Sequence, residues 1–159
     1  MAPRPRFLND IYNDYPDNTS TKVVELQAAD RSYPGYGDRY VLLQWSNGKD
    51  AEGDEVTQII QLSGMAGNYA YYYPLAKKQV AGSRIENTIF PLGNFTCAER
   101  ERILALADST TFEKTSVVNS CRTWTRDLLM AMVNENLLSM TTFNEIDEQV
   151  PLLKRQPEA

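Results

Sequence analysis

The chain contains 159 residues, of which 42% are hydrophobic, and it carries a formal net charge of −5 at pH 7. A chain of this length and hydrophobic content is expected to form one domain around one core. The acidic balance argues against nucleic acid or an anionic membrane as a partner, because no basic block offsets it. The absence of histidine excludes every mechanism in which an imidazole of this chain moves a proton.

No stretch of the sequence is apolar enough for a signal peptide or a membrane span, so a cytoplasmic protein is predicted. The two cysteines, Cys97 and Cys121, are expected to be reduced thiols rather than a disulfide. Without a histidine or a Cys-x-x-Cys pair, the sequence predicts neither a metal site nor a bound cofactor.

Three segments differ in composition. Residues 1–20 indicate an irregular N-terminal arm, residues 21–153 a single α+β domain, and residues 154–159 a disordered tail. Runs rich in β-branched and aromatic residues predict strands at 23–28, 40–45, 56–62, 69–75 and 84–90. We expect these runs to form an antiparallel sheet of four to six strands.

Helix signals follow the strands. A capping box at Thr96 and Glu99 predicts a first helix. Asn119 is the predicted cap of a second helix, whose apolar residues recur at intervals of three and four up to about residue 135. A second capping box begins at Thr142 and predicts a short helix that Pro151 ends. Strands first and helices later indicate an α+β fold with two or three helices packed on the sheet.

Cys121 lies in the first turn of the predicted second helix, where a thiol is most easily activated. With Asn119 as the cap, the cysteine takes the second helical position, and the helix dipole and Arg122 favour its thiolate. Cys121 is therefore a candidate nucleophile. The same position is also typical of an ordinary buried cysteine, which sequence alone favours, and both interpretations stay open.

A tyrosine-rich run follows the third predicted strand. Strand alternation would place Tyr69, Tyr71 and Tyr73 on one face. These rings are expected either to pack against the sheet or to form, with Trp45, the aromatic wall of a small-molecule pocket.

Two charged clusters are predicted to be surface features. The alternating Glu and Arg residues at 99–102 are typical of an exposed helix face. Asp50, Glu52, Asp54 and Glu55 indicate a solvated hairpin tip, because the spacing and the following helix of a calcium loop are missing.

Two short motifs carry a resemblance to a known family. The first is Arg39-Tyr40-Val41-Leu42-Leu43, and the second is Asn119-Ser120-Cys121-Arg122-Thr123-Trp124. Their order resembles the circularly permuted papain-like superfamily of NlpC-type peptidases and lecithin-retinol acyltransferases, and more closely a group of small uncharacterised fungal proteins. Those proteins pair an Arg-Tyr-His-Trp-like strand with a late Asn-Cys-x-x-Trp helix. The likeness covers residues 39 to 138, with one residue inserted before Cys121.

The resemblance places the family nucleophile at Cys121 and the family histidine at Val41. The third polar member would be Gln58 or Gln61. Since Val41 has no titratable group, the general acid/base is lost, which typically removes about 10²- to 10⁴-fold of rate. Peptide or amide hydrolysis by the family mechanism is therefore disfavoured.

Three functions remain. The first is a protein that binds an apolar small molecule in a degenerate papain-like cleft of about 300 Å³ or more, and that steers a cyclisation or rearrangement in a natural-product biosynthetic pathway. The second is a non-catalytic protein-interaction module, with a homodimer as one form. The third is a histidine-independent thiol acyltransferase that uses Cys121. The predicted substrate-binding residues are Tyr40, Val41, Trp45, Gln58, Tyr69, Tyr71, Tyr73, Asn119 and Trp124.

Overall fold

A computed structural model describes residues 10–34 and 39–158. The strands in this part of the chain are β1 (Lys22–Ala28), β2 (Val41–Lys49), β3 (Glu55–Ile60), β4 (Leu62–Met65), β5 (Asn68–Tyr71), β6 (Ala76–Lys78) and β7 (Thr88–Phe95). The helices are α1 (Ser83–Glu86), α2 (Cys97–Ser109), α3 (Cys121–Asn134) and α4 (Met140–Gln149). The predicted α+β class, with an antiparallel sheet followed by helices, is confirmed.

Five strands form one antiparallel sheet in the order β6-β3-β2-β1-β7, while β4 and β5 form a separate hairpin. Leu26 of β1 lies between Leu43 of β2 and Phe90 of β7, which fixes the register of the sheet centre. Because strand side chains alternate between faces, every second residue of β1 and β2 points to the core. Those buried residues are Val24, Leu26, Ala28, Val41, Leu43 and Trp45.

Helix α3 covers this face of the sheet. Four of its apolar residues are fully buried, and each contributes about 1.5–3 kcal/mol relative to an exposed position. They are Trp124, Leu128, Leu129 and Met132. The predicted amphipathic helix is therefore present, and it packs as its spacing indicates.

The helix starts agree with the prediction at α2 and differ at α3 and α4. Thr96 and Glu99 form the predicted capping box. At α3 the cap is Ser120, whose Oγ accepts from Arg122 N at 3.3 Å, and Cys121 is therefore the first helical residue. The prediction of Asn119 as cap is wrong, because its side chain bonds Gln156 instead. Helix α4 begins earlier than predicted, capped by Ser139.

Two strand predictions differ in position from the structure, and two observed strands were not predicted. The run predicted at 69–75 ends as a strand at Tyr71, and the run at 84–90 is displaced to 88–95 because residues 83–86 form the short helix α1. Strands β4 and β6 were not predicted, since Leu62–Met65 and Ala76–Lys78 carry no β-branched residue.

The arm is irregular as predicted over residues 10–20; residues 1–9 lie outside the described part. It is anchored by Arg100 of α2, which is fully buried although its charge pattern predicted an exposed surface. The guanidinium donates to both carboxylate oxygens of Asp17 at 2.9 and 3.0 Å. It also donates to the carbonyls of Asn18, Ser20 and Phe95, each at 2.8 Å. The prediction of an exposed Arg100 is wrong because the arm supplies this complete set of acceptors.

Residues 154–158, which we expected to be disordered, lie against the domain without regular structure. Arg155 pairs with Asp127 at 2.7 Å, and Gln156 exchanges two hydrogen bonds with the side chain of Asn119. Ala159 lies outside the described residues. Among the helices that the structure describes, none has the length and apolar character needed to cross a membrane.

Candidate functional site

The start of α3, the start of β2 and the β4–β5 hairpin meet around a small cavity that we call the Cys121 pocket. Its volume is about 90 Å³. It is smaller than the cavity of 300 Å³ or more that a whole small molecule was expected to need. Its principal lining residues are Arg39, Tyr40, Gly64, Met65, Tyr69 and Cys121.

Cys121 lines this pocket and is a buried residue, with only 7% of its surface exposed. It donates to the carbonyl oxygen of Arg39 at 3.4 Å, which places the thiol beside the strand that carries Val41. Val41 is 1% exposed and belongs to the same core cluster as Cys121. The strand therefore presents an aliphatic side chain at the position where the resemblance implied a histidine. Among the described residues that line the pocket, none is acidic.

Arg39 fixes the backbone that accepts the thiol. Its guanidinium donates to the carbonyls of Ala29 at 2.6 Å, Asp30 at 2.7 Å and Val150, and to Thr88 Oγ1 at 3.1 Å. Burial lowers the pKa of Arg39 from its ordinary value. The motif that begins with Arg39 carries no signal of this structural role, because the acceptors lie in other segments of the chain.

Two exposed apolar side chains form the rim of the pocket. Tyr40 is 56% exposed and Met65 is 69% exposed. The Tyr40 hydroxyl donates to the Gly64 carbonyl at 3.4 Å, so strand β2 and the hairpin are joined across the opening. Gly64 has a φ of +100°, and a Cβ there would lie 2.1 Å from the carbonyl oxygen of Asn68. Only glycine fits this wall of the pocket without a shift of the hairpin.

The structure brings three of the predicted site residues together, namely Tyr40, Tyr69 and Cys121. The others lie outside the pocket. Trp45 and Trp124 are buried in the core, as is Val41. Gln58 is fully buried and accepts from Asn47 Nδ2 at 2.9 Å, and Asn119 bonds Gln156 and Glu158.

The tyrosine run does not form the expected wall. Tyr71 and Tyr73 stack on each other with ring centroids 6.4 Å apart, and Tyr71 packs on Trp124 at 5.2 Å. Burial raises the pKa of Tyr71, so this phenol remains protonated through the ordinary pH range. Gln61 Nε2 donates to Ser63 Oγ at 3.3 Å, and neither residue lines the Cys121 pocket.

The acidic hairpin tip is organised around a lysine. Lys78 Nζ lies 3.5 Å from Asp50, 2.9 Å from Glu52 and 2.8 Å from Asp54. The hydrogen bonds that Lys78 donates to Asp54 and Glu52 raise its pKa. The ammonium group thus offsets part of the negative charge of this cluster.

The pocket combines a thiol at a helix N-terminus with an apolar rim, and its lining offers no carboxylate or imidazole to move a proton. This combination suits binding of a small apolar group better than acid/base chemistry. No protein-family model, curated protein or solved structure matches this chain.

Proposed function

We propose that the protein binds an apolar small molecule at the Cys121 pocket, a degenerate papain-like cleft. The observation that carries the proposal is the pairing of a recessed thiol with the exposed side chains of Tyr40 and Met65 around one opening. Exposed apolar residues beside a concave site are typical of ligand-binding surfaces.

The volume of the pocket limits what enters it. About 90 Å³ is less than the roughly 150 Å³ of an apolar cavity that holds benzene. A short alkyl or acyl end therefore fits beside the thiol, while the remainder of the ligand lies across Tyr40 and Met65. A pocket of this size does not enclose a whole substrate in the folded conformation that a cyclisation needs. Binding is thus better supported than the steering of a cyclisation or rearrangement.

A series of N-alkyl maleimides, from ethyl to octyl, tests this proposal on the Cys97→Ser protein, which retains Cys121. Each methylene that enters the apolar site is worth about 0.8 kcal/mol, and hence up to about fourfold in labelling rate. We expect the rate to rise with chain length and then to level off. Intact-mass measurement of the folded protein gives the rates.

The Cys121→Ser protein, which retains the partly exposed Cys97, provides the reference reactivity of each reagent. Met65→Ser should reduce the preference for long chains, whereas Met140→Ser, at an exposed methionine of α4, should not. The proposal fails if Cys121 shows the same chain-length dependence as Cys97, or if it is not labelled in the folded protein.

A protein-interaction module is the second candidate, favoured by the exposure of a third apolar residue near the hairpin. Val117 is 73% exposed, and it follows Ser116, whose carbonyl accepts from Gly67 N at 2.8 Å. Together with Tyr40 and Met65 it gives this side of the molecule an apolar surface. Sedimentation equilibrium tests whether the protein self-associates through this surface. A dimer that Val117→Ser and Met65→Ser both weaken supports the interaction module.

A further inference from the structure

The opposite face of the five-stranded sheet carries a second and larger cavity. Glu25 of β1, Gln44 and Ser46 of β2 and Thr57 of β3 alternate with core residues and therefore point away from the helices. Glu25 lies opposite Gln44, and Ser46 lies opposite Thr57. The connection after β6, with Gln79 and Arg84, borders these residues. We call this cavity the sheet-back groove and define it by Glu25, Gln44, Ser46, Thr57, Gln79 and Arg84.

The groove has the dimensions of a ligand site. Its volume is about 500 Å³, within the usual range of about 300–1,000 Å³ for small-molecule pockets. A neighbouring depression of about 370 Å³ shares Glu55, Gln79 and Arg84 with it, so the concavity extends along the connection. An elongated ligand with more than one unit suits this shape.

The polar groups on the groove floor are buried, and part of their hydrogen-bonding capacity is unused. Gln44 is 4% exposed and Thr57 is 6% exposed. Gln44 Nε2 donates to Glu25 Oε1 at 3.3 Å, while the side-chain oxygen of Gln44 accepts no hydrogen bond from another described residue. Within residues 10–34 and 39–158, the Thr57 hydroxyl and the Gln79 side-chain amide likewise form none. These groups offer both donors and acceptors to a ligand.

The charges in the groove disfavour an anionic ligand. The lining holds two cationic residues, Lys22 and Arg84, and two anionic residues, Glu25 and Glu55, so it has no net charge. Arg84 binds both Glu25 oxygens, at 2.7 and 2.8 Å, and Lys22 binds Asp17 at 2.6 Å. The hydrogen bond from Arg84 lowers the pKa of Glu25, so both side chains stay charged near neutral pH and neutralise each other. An anion would have to break one of these pairs to reach a cationic side chain of the groove.

We propose that the sheet-back groove binds a short neutral saccharide. Hydroxyl groups are both donors and acceptors, which matches the Gln44 carbonyl, the Thr57 hydroxyl and the Gln79 amide. The apolar faces of sugar rings match the exposed Val23 at the groove and the exposed Val80 and Ile85 of the neighbouring depression. This site is on the opposite face of the sheet from Cys121, and it is independent of the function proposed there.

The test is an NMR titration of the full ¹⁵N-labelled chain with maltotriose, cellotriose and chitotriose at millimolar concentration. We expect at least one trisaccharide to shift the backbone resonances of Gln44, Thr57 and Gln79 in a saturable manner. Gln44→Leu and Thr57→Val should each weaken that binding about tenfold, because each removes a buried hydrogen-bonding partner. Gln79→Ala lies in a connection outside the strands and should weaken it without affecting the fold.

Gln149→Leu replaces an exposed glutamine of α4 and is the matched control, for which the affinity should not change. The proposal is overturned if no trisaccharide shifts the groove resonances, or if the shifts lie elsewhere. It is also overturned if Gln79→Ala binds as tightly as the unaltered chain. A short neutral peptide that shifts the groove resonances when no trisaccharide does would identify a peptide site instead.

Discussion

Replacement of Asp17 by asparagine is expected to destabilise the whole domain, although Asp17 belongs to the irregular arm. The substitution keeps the shape of the side chain and removes the charge that pairs with Arg100. All five guanidinium N–H groups of Arg100 are bonded in the native protein, two of them to Asp17. In Asp17→Asn a buried cation remains without its counter-charge, which is the costly way to break an ion pair.

The magnitude follows from the burial of the two partners. Loss of one partner of a buried pair costs about 3–5 kcal/mol. Arg100 is 0% exposed but the Asp17 side chain is 13% exposed, so water partly replaces the carboxylate and about 3 kcal/mol is expected. For a chain of this size that loss lowers the melting temperature by about 6–12 °C. Thermal unfolding followed by circular dichroism measures it.

Glu135→Gln is the matched control, because Glu135 also binds an arginine of α2 through both oxygens. That pair, with Arg102, has side chains that are 53% and 33% exposed, and exposed pairs contribute little. We expect no clear change of melting temperature for it. If Asp17→Asn has the same melting temperature as Glu135→Gln and the unaltered protein, then Arg100 is not the anchor of the arm, and the argument from burial is refuted.

The same pair makes stability depend on pH. Burial alone would raise the pKa of Asp17, but hydrogen bonds from Arg100 and Lys22 outweigh it and hold the pKa below the ordinary value of 3.8. A carboxylate with a lowered pKa stabilises the folded state above its unfolded pKa and loses this effect as the pH falls through its folded pKa. The stability difference between the unaltered protein and Asp17→Asn should therefore be constant near neutral pH and shrink below about pH 4.

Four further substitutions, one of them a control, test the hairpin, the tyrosine run and the cap of α3. Gly64→Ala should lower the free energy of unfolding in urea by about 2–4 kcal/mol, because its Cβ would lie 2.1 Å from the Asn68 carbonyl oxygen. Gly67→Ala, with open space around it, should lower it by only about 1 kcal/mol, the cost of left-handed backbone strain. Tyr71→Phe should leave the unfolding free energy unchanged or raise it by up to about 1 kcal/mol, because its buried hydroxyl bonds no described residue; a loss above this would reveal a partner. Asn119→Ala should remove hydrogen-exchange protection from the Gln156 amide while helix α3 stays protected, since Ser120 is its cap; loss of protection in α3 would contradict this assignment.

The burial of Arg100 shows what the sequence could and could not predict. Its spacing from Ile103 and Ala107 places it on the buried face of α2, so the helical period contained the signal. The alternation of charges at 99–102 suggested an exposed surface instead. The identity of the partner had no sequence signal, because Asp17 lies 83 residues away in a segment without periodicity. Helix periodicity therefore indicates that Arg100 is buried, while the tertiary fold decides which groups pair with its charge.

The choice between two adjacent helix caps had the same origin. Asn119 and Ser120 are both favourable cap residues, and local propensity does not separate them. The side chain of Asn119 pairs with the backbone of Gln156 at 2.7 and 2.8 Å, so it is not available to α3. A contact with the end of the chain thereby decided which residue caps α3 and made Cys121 its first residue.

The size of the Cys121 pocket depends on a part of the fold that the sequence predicted only in part. Helix α3 and strand β2, which carry the two motifs, were predicted, and they meet at the thiol and the Arg39 carbonyl. The outer wall is the β4–β5 hairpin, of which only the β5 run was predicted. Backbone hydrogen bonds hold it against the loop before α3, from Gly67 N to Ser116 O at 2.8 Å and from Tyr69 N to Lys114 O at 2.7 Å. Residues of any type form such bonds. Helix α3 and the start of β2 bring the thiol to the Arg39 carbonyl, while the hairpin sets the space beside the thiol, and that space limits what the pocket binds.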